Sequence, residues 1–288
     1  MKILVLGGNR FFGKKLVGHL LDNGMEVTLA NRGKLDDGFQ SKVARIKVDR
    51  TSLEEMKSNL GHLNFDVVYD QIGFMGNDAS IAIKTFEGNI GKLIFTSTLS
   101  VYSQFGKNLK ESDVPKPIVK PSTPGELYGY GKQESEKIYL NSSIPTTFVR
   151  FPYVLGLDDY TKRLGFHIQR VFNDEPIYFQ NIHTHFAPIN SDDAAKALFY
   201  LLKIKVTGPI NVSPKLPIQL SEMMSWIEES TNKKAIYSNV ADPRLTSPYN
   251  GTEDWWMNVE KMEQLGFSCS PIIDWLPSLI EKTHKTLK

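Results

Sequence analysis

Cysteine is almost missing from this chain: of 288 residues only Cys269 is one. A single thiol excludes an internal disulfide framework and points to a reducing cytoplasm as the expected setting. Cys269 itself reads as a small buried hydrophobe rather than a nucleophile. Charge of one sign is also lacking. The 34 Lys and Arg stand against 32 Asp and Glu, a balance of +2, and the basic residues are scattered. That argues against a nucleic-acid or membrane-surface protein. No apolar run approaches the ~20 residues of a membrane span. The start, Met1-Lys-Ile-Leu-Val-Leu6, has the charge of a signal peptide, but glycines end its apolar stretch at once. Internal repeats and low-complexity segments are absent. The remainder, 41% hydrophobic and 23% charged, is ordinary globular composition.

The first half alternates short apolar runs with helical patterns, which predicts a doubly wound parallel sheet. Strands are expected at Lys2–Leu6, Glu26–Ala30, Ala44–Val48, Phe65–Asp70, Lys92–Thr98 and Thr146–Arg150. Phe12, Leu16, Val17, Leu20 and Leu21 share one face of a helix stopped by Asn23-Gly24. Thr51-Ser-Leu-Glu54 reads as a capping box. After residue 156 the alternation loosens. Phe186–Ile189 reads as a strand, Ser191-Asp-Asp as a cap for a helix over Ala194–Leu202, and Ser221 as the start of another helix. Two long loops, Val114–Pro124 and Ala241–Trp256, are surface connections by default, with lids as the alternative.

Three local patterns carry chemistry. Gly7-Gly-Asn-Arg-Phe-Phe-Gly13 lies between an expected strand and helix, where glycines let backbone N–H groups approach a pyrophosphate. Its spacing is Gly7-x-x-Arg10-x-x-Gly13, with arginine where a third glycine would fall. Asn9, Phe11 and Phe12 belong to the same turn. The end of the second strand, Ala30-Asn31-Arg32-Gly33, has no carboxylate for a ribose 2′-hydroxyl, whereas Arg32, helped by Arg10, could clamp a 2′-phosphate. The expected cofactor is therefore NADP in preference to NAD, against the plainer reading of Arg32 as a solvated turn residue. Asp49 is a candidate acceptor for an adenine amino group, with Arg50 beside it. Finally, Tyr128 precedes Lys132 by four residues, so one helical turn puts them on one face. A neighbouring ammonium would lower the phenol's pKa and fit it for proton transfer. The spacing alone could be chance; the glycine turn and the Ser/Thr cluster at residues 96–100 make it informative.

Together these residues resemble the extended or atypical short-chain dehydrogenase/reductases, the NAD-dependent epimerase/dehydratase family. The resemblance also takes in Phe65-Asp-Val-Val-Tyr-Asp70, Phe95-Thr-Ser-Thr-Leu-Ser-Val-Tyr102, Glu136, Arg150-Phe-Pro-Tyr-Val-Leu-Gly156 and Val259–Phe267. It implies a Rossmann-type doubly wound sheet with a smaller mixed C-terminal substrate-binding domain. The dinucleotide-binding part would be residues 1–156 with about 186–206, and the substrate part about 157–185 with 207–288. It implies that Thr98, with Ser97 as second candidate, holds the reacting oxygen. Tyr128 would move the proton and Lys132 would bind the nicotinamide ribose. Ile72 and Gly73 would pass one side of the nicotinamide, with Pro152, Tyr153 and Val154 on the other. The implied function is an NAD(P)-dependent oxidoreductase or epimerase acting on a hydroxyl or carbonyl of a polar metabolite, a nucleotide sugar among the candidates. A homodimer through two helices beside the sheet is implied as well.

Leu99 and Ser100 stand where the family's 4,6-dehydratases carry an Asp-Glu pair, so dehydration is not expected. The Gly-Gly-x-Arg-Phe start is shared with plant-type stem-loop RNA-binding relatives, which keeps a non-catalytic nucleotide- or RNA-binding role as the alternative. His183-Thr-His185 suggests a metal only weakly, since no third ligand has suitable spacing. Arg163, Arg170 and Arg244 are candidate diphosphate contacts, each an ordinary surface arginine by default.

Overall fold

The computed structural model describes residues 1–113 and 116–287; Val114 and Pro115, part of the expected Val114–Pro124 loop, lie outside the described residues. Strands β1 (Lys2–Leu6), β2 (Glu26–Asn31), β3 (Ala44–Lys47), β4 (Phe65–Asp70) and β5 (Ile90–Thr98) come first. They alternate with helices α1 (Phe11–Asp22), α2 (Leu53–Leu60) and α3 (Gly76–Phe86). A short strand β6 (Gly106–Leu109), helix α4 (Pro124–Leu140) and strand β7 (Thr146–Phe151) follow. Next are β8 (Val154–Leu155), α5 (Arg163–Phe172), β9 (Pro176–Ile177), β10 (His185–Phe186), β11 (Ile189–Asn190), α6 (Ser191–Lys203) and β12 (Gly208–Asn211). The chain ends with β13 (Ile218–Gln219), α7 (Leu220–Thr231), β14 (Ile236–Tyr237), β15 (Trp255–Met257), α8 (Glu260–Gln264) and α9 (Leu276–Leu287).

The main sheet runs β12-β7-β5-β4-β1-β2-β3, all parallel. Its central strands are apolar on both faces, as a sheet covered twice requires, while the edge strand β3 is largely exposed. Along β1, Ile3 and Val5 join one core with Leu16, Leu20, Leu198 and Leu201 of α1 and α6. Leu4 and Leu6 join the other with Met56, Ala82, Phe86 and Tyr139 of α2, α3 and α4. Strand order reverses between β1 and β4, and the crevice at their carboxyl ends is where open α/β sheets bind ligands.

A second lobe is built around the mixed sheet β13-β10-β15-β6, with α5, α7 and α9 packed on one another. The chain interleaves the two parts. β6, from the first half, pairs with β15, while β12, expected in the substrate part, completes the main sheet beside β7.

Several sequence expectations shift for local reasons. The strand expected over Phe186–Ile189 is two: β10 pairs with β13 and β15, β11 with β8. Between them stands Pro188, which has no N–H to give a ladder. The cap of α2 is Ser52, whose hydroxyl accepts from the N–H of Glu55 at 3.2 Å; Thr51 instead donates to Asp49. For α6 the cap is Asn190, whose side-chain oxygen accepts from the N–H of Asp193 at 2.7 Å. Phe12 and Leu21 are partly buried, while Phe11 takes a fuller place in the core.

Candidate active site

The site is assembled at the carboxyl ends of β1, β4 and β5. Leaving β1, Gly7 (φ 96°) and Gly8 (φ 73°) adopt backbone that side-chained residues avoid. A β-carbon on Gly7 would lie 2.8 Å from Ile72, and one on Gly13 would lie 2.2 Å from the Gln71 side-chain oxygen. The middle position needs no glycine: Arg10 is extended (φ −155°, ψ 164°) and precedes α1. Its guanidinium lies 3.7 Å from the centre of the exposed Tyr160 ring. Phe11 and Phe12 turn into the core, leaving their backbone at the turn. The Gln71 side-chain nitrogen is buried without a hydrogen-bond partner beside these glycines. A tight glycine turn before a helix, with an orphaned donor next to it, fits the pyrophosphate of a dinucleotide.

At the end of β2, Asn31 ties the turns together: its amide donates to the Gly7 carbonyl (3.3 Å) and its oxygen accepts from the Gly33 N–H (2.8 Å). Arg32 is exposed and has no hydrogen bond or ion pair among the described residues. Asp49 accepts from Thr51 through both backbone and hydroxyl, which holds its carboxyl below the usual range, and the charges of Arg32 and Lys34 add to this. Arg50 is placed differently from its expected cofactor role. It is buried and bridges Asp70 and Asp78 (3.1 Å to the latter), so its charge is spent inside the protein.

That buried cluster positions the segment from residue 71 to 75. Asp70 accepts from the Ile72 N–H (3.3 Å) and the Tyr139 hydroxyl (2.9 Å), and Asp78 from the N–H groups of Phe74 (2.8 Å) and Met75 (3.0 Å). The Gly73 carbonyl, so held, accepts from the Lys132 ammonium at 2.7 Å; the Thr96 carbonyl accepts from it at 2.6 Å. The sequence patterns took in Asp70 only as the end of a strand and did not flag Gln71 or Asp78. Only the acid in the first turn of α3 offered a signal.

Helix α4 presents Tyr128 and Lys132 side by side. Thr123 and Glu126 form a reciprocal capping box with Pro124 at the first helical position. Gly129 and Gly131 let the helix dock: β-carbons there would lie 2.7 Å from the Ser100 carbonyl and 2.1 Å from the Phe74 carbonyl. Lys132 is buried with its ammonium 5.7 Å from the Tyr128 ring centre, and burial brings its pKa down to about 8. Tyr128 is 37% exposed as a residue, but its hydroxyl sits deep enough that burial pushes the phenol up to about 12. The nearby Thr98 hydroxyl and the charge of Arg163 hold it down in part. The lowering expected from Lys132 is not found: its ammonium is engaged by two carbonyls, and the phenol is desolvated.

Thr98 ends β5 and is buried. Ser97, the second candidate, points elsewhere: its hydroxyl donates to Glu136, which is paired with Arg150 at 2.6 Å. Ile72 and Gly73 flank the glycine turn and Lys132. Val154 is paired into β8 and buried, and Tyr153 packs edge-on against Tyr249 at 5.0 Å, with Pro152 before them. His185 pairs with Asp254 at 2.9 Å, and no cluster of three metal-ligating side chains is found among the described residues. Arg170 donates to the Pro176 carbonyl and Arg244 pairs with Asp242.

Residues 3–212 match the model of the NAD dependent epimerase/dehydratase family. The chain belongs to that family. Similar solved structures include a UDP-glucose 4-epimerase with UDP-glucose from Thermotoga maritima, at 18% identity, TM-score 0.79 and 100% coverage of both chains. A UDP-glucuronic acid 4-epimerase from Bacillus cereus with NAD has 20% identity and TM-score 0.77, covering 100% of this chain and 97% of that one. A dTDP-glucose 4,6-dehydratase from Bacillus anthracis with NAD has 16% identity and TM-score 0.80, over 99% and 97% of the two chains. At these identities the likeness is one of fold. Among curated proteins, the chloroplast stem-loop binding protein of 41 kDa b from Arabidopsis thaliana is 27% identical over 193 residues, or 62% of this chain. The match spans about half that relative's length, 49%. Among the described residues no helix is long and apolar enough to cross a membrane.

Proposed function

We propose that this family member is a nicotinamide-dependent epimerase or reductase that acts on a hydroxyl or carbonyl of a polar metabolite, with a nucleotide sugar as the preferred class. The observation that carries the reading is the convergence of Thr98, Tyr128 and Lys132 at the crevice beside the glycine turn. A nicotinamide bound there supplies a carbon that takes or returns a hydride. Thr98 holds the reacting oxygen of the substrate. Tyr128, neutral at physiological pH, gives its proton to a carbonyl oxygen and is left as the phenolate; in the reverse direction that phenolate takes the proton of a hydroxyl. Lys132 orients the ribose and supports the phenolate as the proton leaves. Leu99, buried in the place of the dehydratases' acid, argues against 4,6-dehydration. The nucleotide-sugar class is supported by the ligands named for the neighbouring structures, UDP-glucose among them. NADP is favoured by the free Arg32, and dimerisation through helices beside the sheet remains part of the proposal.

Thermal melts with NAD(H) and NADP(H), alone and with UDP-glucose or UDP-glucuronic acid, test the ligands, because a bound ligand raises apparent stability by mass action. NADPH should shift the melt more than NADH. Tyr128→Phe should keep the cofactor shift and lose roughly 10²-fold or more in turnover; undiminished turnover would refute the proton-transfer role. A second reading, binding of structured RNA without turnover, is favoured by one observation, the curated stem-loop binding relative.

A further inference from the structure

Arg10 and Tyr160 meet across the two lobes. Arg10 is exposed and stands just before α1, and its guanidinium has no hydrogen bond or ion pair among the described residues. It lies instead 3.7 Å from the centre of the Tyr160 ring. Phe11, the next residue, meets the same ring edge-on at 6.2 Å. Tyr160 belongs to the turn between β8 and α5, on the side of the second lobe, and is 53% exposed. Its phenol is also within electrostatic range of that of Tyr128. One side chain thus reaches both the glycine turn and the proton-transfer centre.

The turn that carries Tyr160 is knitted to itself. The Asp159 carboxylate accepts from the N–H (2.9 Å) and hydroxyl (2.6 Å) of Thr161. The Asp159 N–H donates to the Gly156 carbonyl (3.1 Å), and the Lys162 N–H to the Asp159 carbonyl (3.2 Å). Among the described residues, every hydrogen bond of residues 157–162 stays within 156–166, so none ties the turn to the main-sheet lobe. The Tyr160 ring reaches that lobe through a cation–π contact, which is weak at an exposed site. Left-handed backbone at residues other than glycine follows both partners: Phe11 (φ 52°) after Arg10, and Lys162 (φ 55°) where the turn joins α5. Side chains make that conformation strained, and such strain recurs at switch segments. A self-contained turn, strained at its junction and fastened across by a weak contact, can swing as a unit. We propose that Arg10 and Tyr160 form a gate over the glycine turn, which parts to admit and release the turn's ligand and recloses over it. That ligand is a dinucleotide on the reading above, on which the proposal rests. The gate also gives a reason for arginine where a third glycine would fall: the extended backbone there admits a side chain, and the side chain fastens the gate.

Stopped-flow binding of NADH and NADPH to the full chain, followed by their fluorescence, reads the gate as a rate. Tyr160→Leu and Arg10→Ala should each raise association and dissociation rates together by roughly two- to fivefold, with affinity changed less than about twofold, as loss of one exposed cation–π contact allows. Tyr160→Phe keeps the ring face and should bind at wild-type rates. The double variant should be no faster than either single one, because both remove the same contact. The proposal is overturned by unchanged rates in either single variant or by a Tyr160→Phe variant as fast as Tyr160→Leu. Weakened affinity in Arg10→Ala with no gain in rate also overturns it, and would make Arg10 a phosphate ligand. A wild type that binds neither dinucleotide would sink the nicotinamide reading and not the gate, which then stands or falls on amide hydrogen exchange. Tyr160→Leu should speed exchange at residues 157–162 and 8–12 together, and unchanged exchange there overturns the gate.

Discussion

His167 shows how a single buried side chain sets a pH limit. Its Nδ1 lies 2.9 Å from the Arg163 carbonyl, so it donates there, and its Nε2, 2.8 Å from Ser247, accepts. Burial lowers its pKa from 6.5 to about 4, with nearby Arg170 acting the same way. The unfolded chain therefore binds more protons between these values, and stability falls as pH drops from about 6.5 toward 4. The loss should be on the order of 3 kcal/mol. Denaturant titrations of wild type and His167→Gln across that window should give a shallower slope for the variant; parallel slopes would show that His167 is not the group responsible. Among the candidate site residues, Tyr128, Lys132 and Thr98 were legible because each has a fixed offset from a recognisable pattern. Arg50 and Ser97 were misplaced because a sequence cannot show which buried carboxylate a charge or hydroxyl will meet. Here those are Asp70 and Asp78 for one and Glu136 for the other.

At the scale of elements, α4 depends on two glycines more than on its amphipathic pattern. The Gly131 position lies against the Phe74 carbonyl, in the same segment that receives the Lys132 ammonium. Gly131→Ala would gain roughly 1 kcal/mol in helix propensity, yet force apart backbone that carries Lys132. We expect a lower melting temperature and weakened cofactor binding. Gly125→Ala, on the same helix with nothing within 4 Å of the new methyl, should be neutral or slightly stabilising. Paired melts distinguish this from a general intolerance of α4 to alanine. Strands β1, β2, β4, β5 and β7 could be read from the sequence because buried parallel strands are continuous apolar runs, and the exposed edge strand β3 from its place in the alternation. The two-residue strands of the second lobe could not, since their pairing is set by distant partners; β10 and β11, split at Pro188, are the plainest case.

For the whole molecule, the charge balance bears on the choice between the two functional readings. Genuine affinity for structured RNA rests on several phosphate contacts and falls steeply with salt. With a net charge of +2 and scattered basic residues, we expect a filter-binding assay with stem-loop RNA to show no retention at roughly physiological salt. Tight, steeply salt-dependent binding would favour the RNA reading. The family and the doubly wound sheet were legible from the motifs and their order. The interleaving of the two lobes was not, because β6 and β12 are four-residue strands whose sheet membership is decided by partners far along the chain.

That interleaving has a mechanical consequence. The backbone passes between the main sheet and the second lobe at β6, after β7, before α6 and after β12, and α8 then returns to place Met262 in the core beside α6. A body joined by one strand of chain swings freely; one stitched at several separate points has few degrees of freedom left. Access to Tyr128 therefore has to come from small rocking of the lobes or from the segments around Tyr160 and Phe74, and the rigidity of the seam keeps Tyr128 and the glycine turn in register.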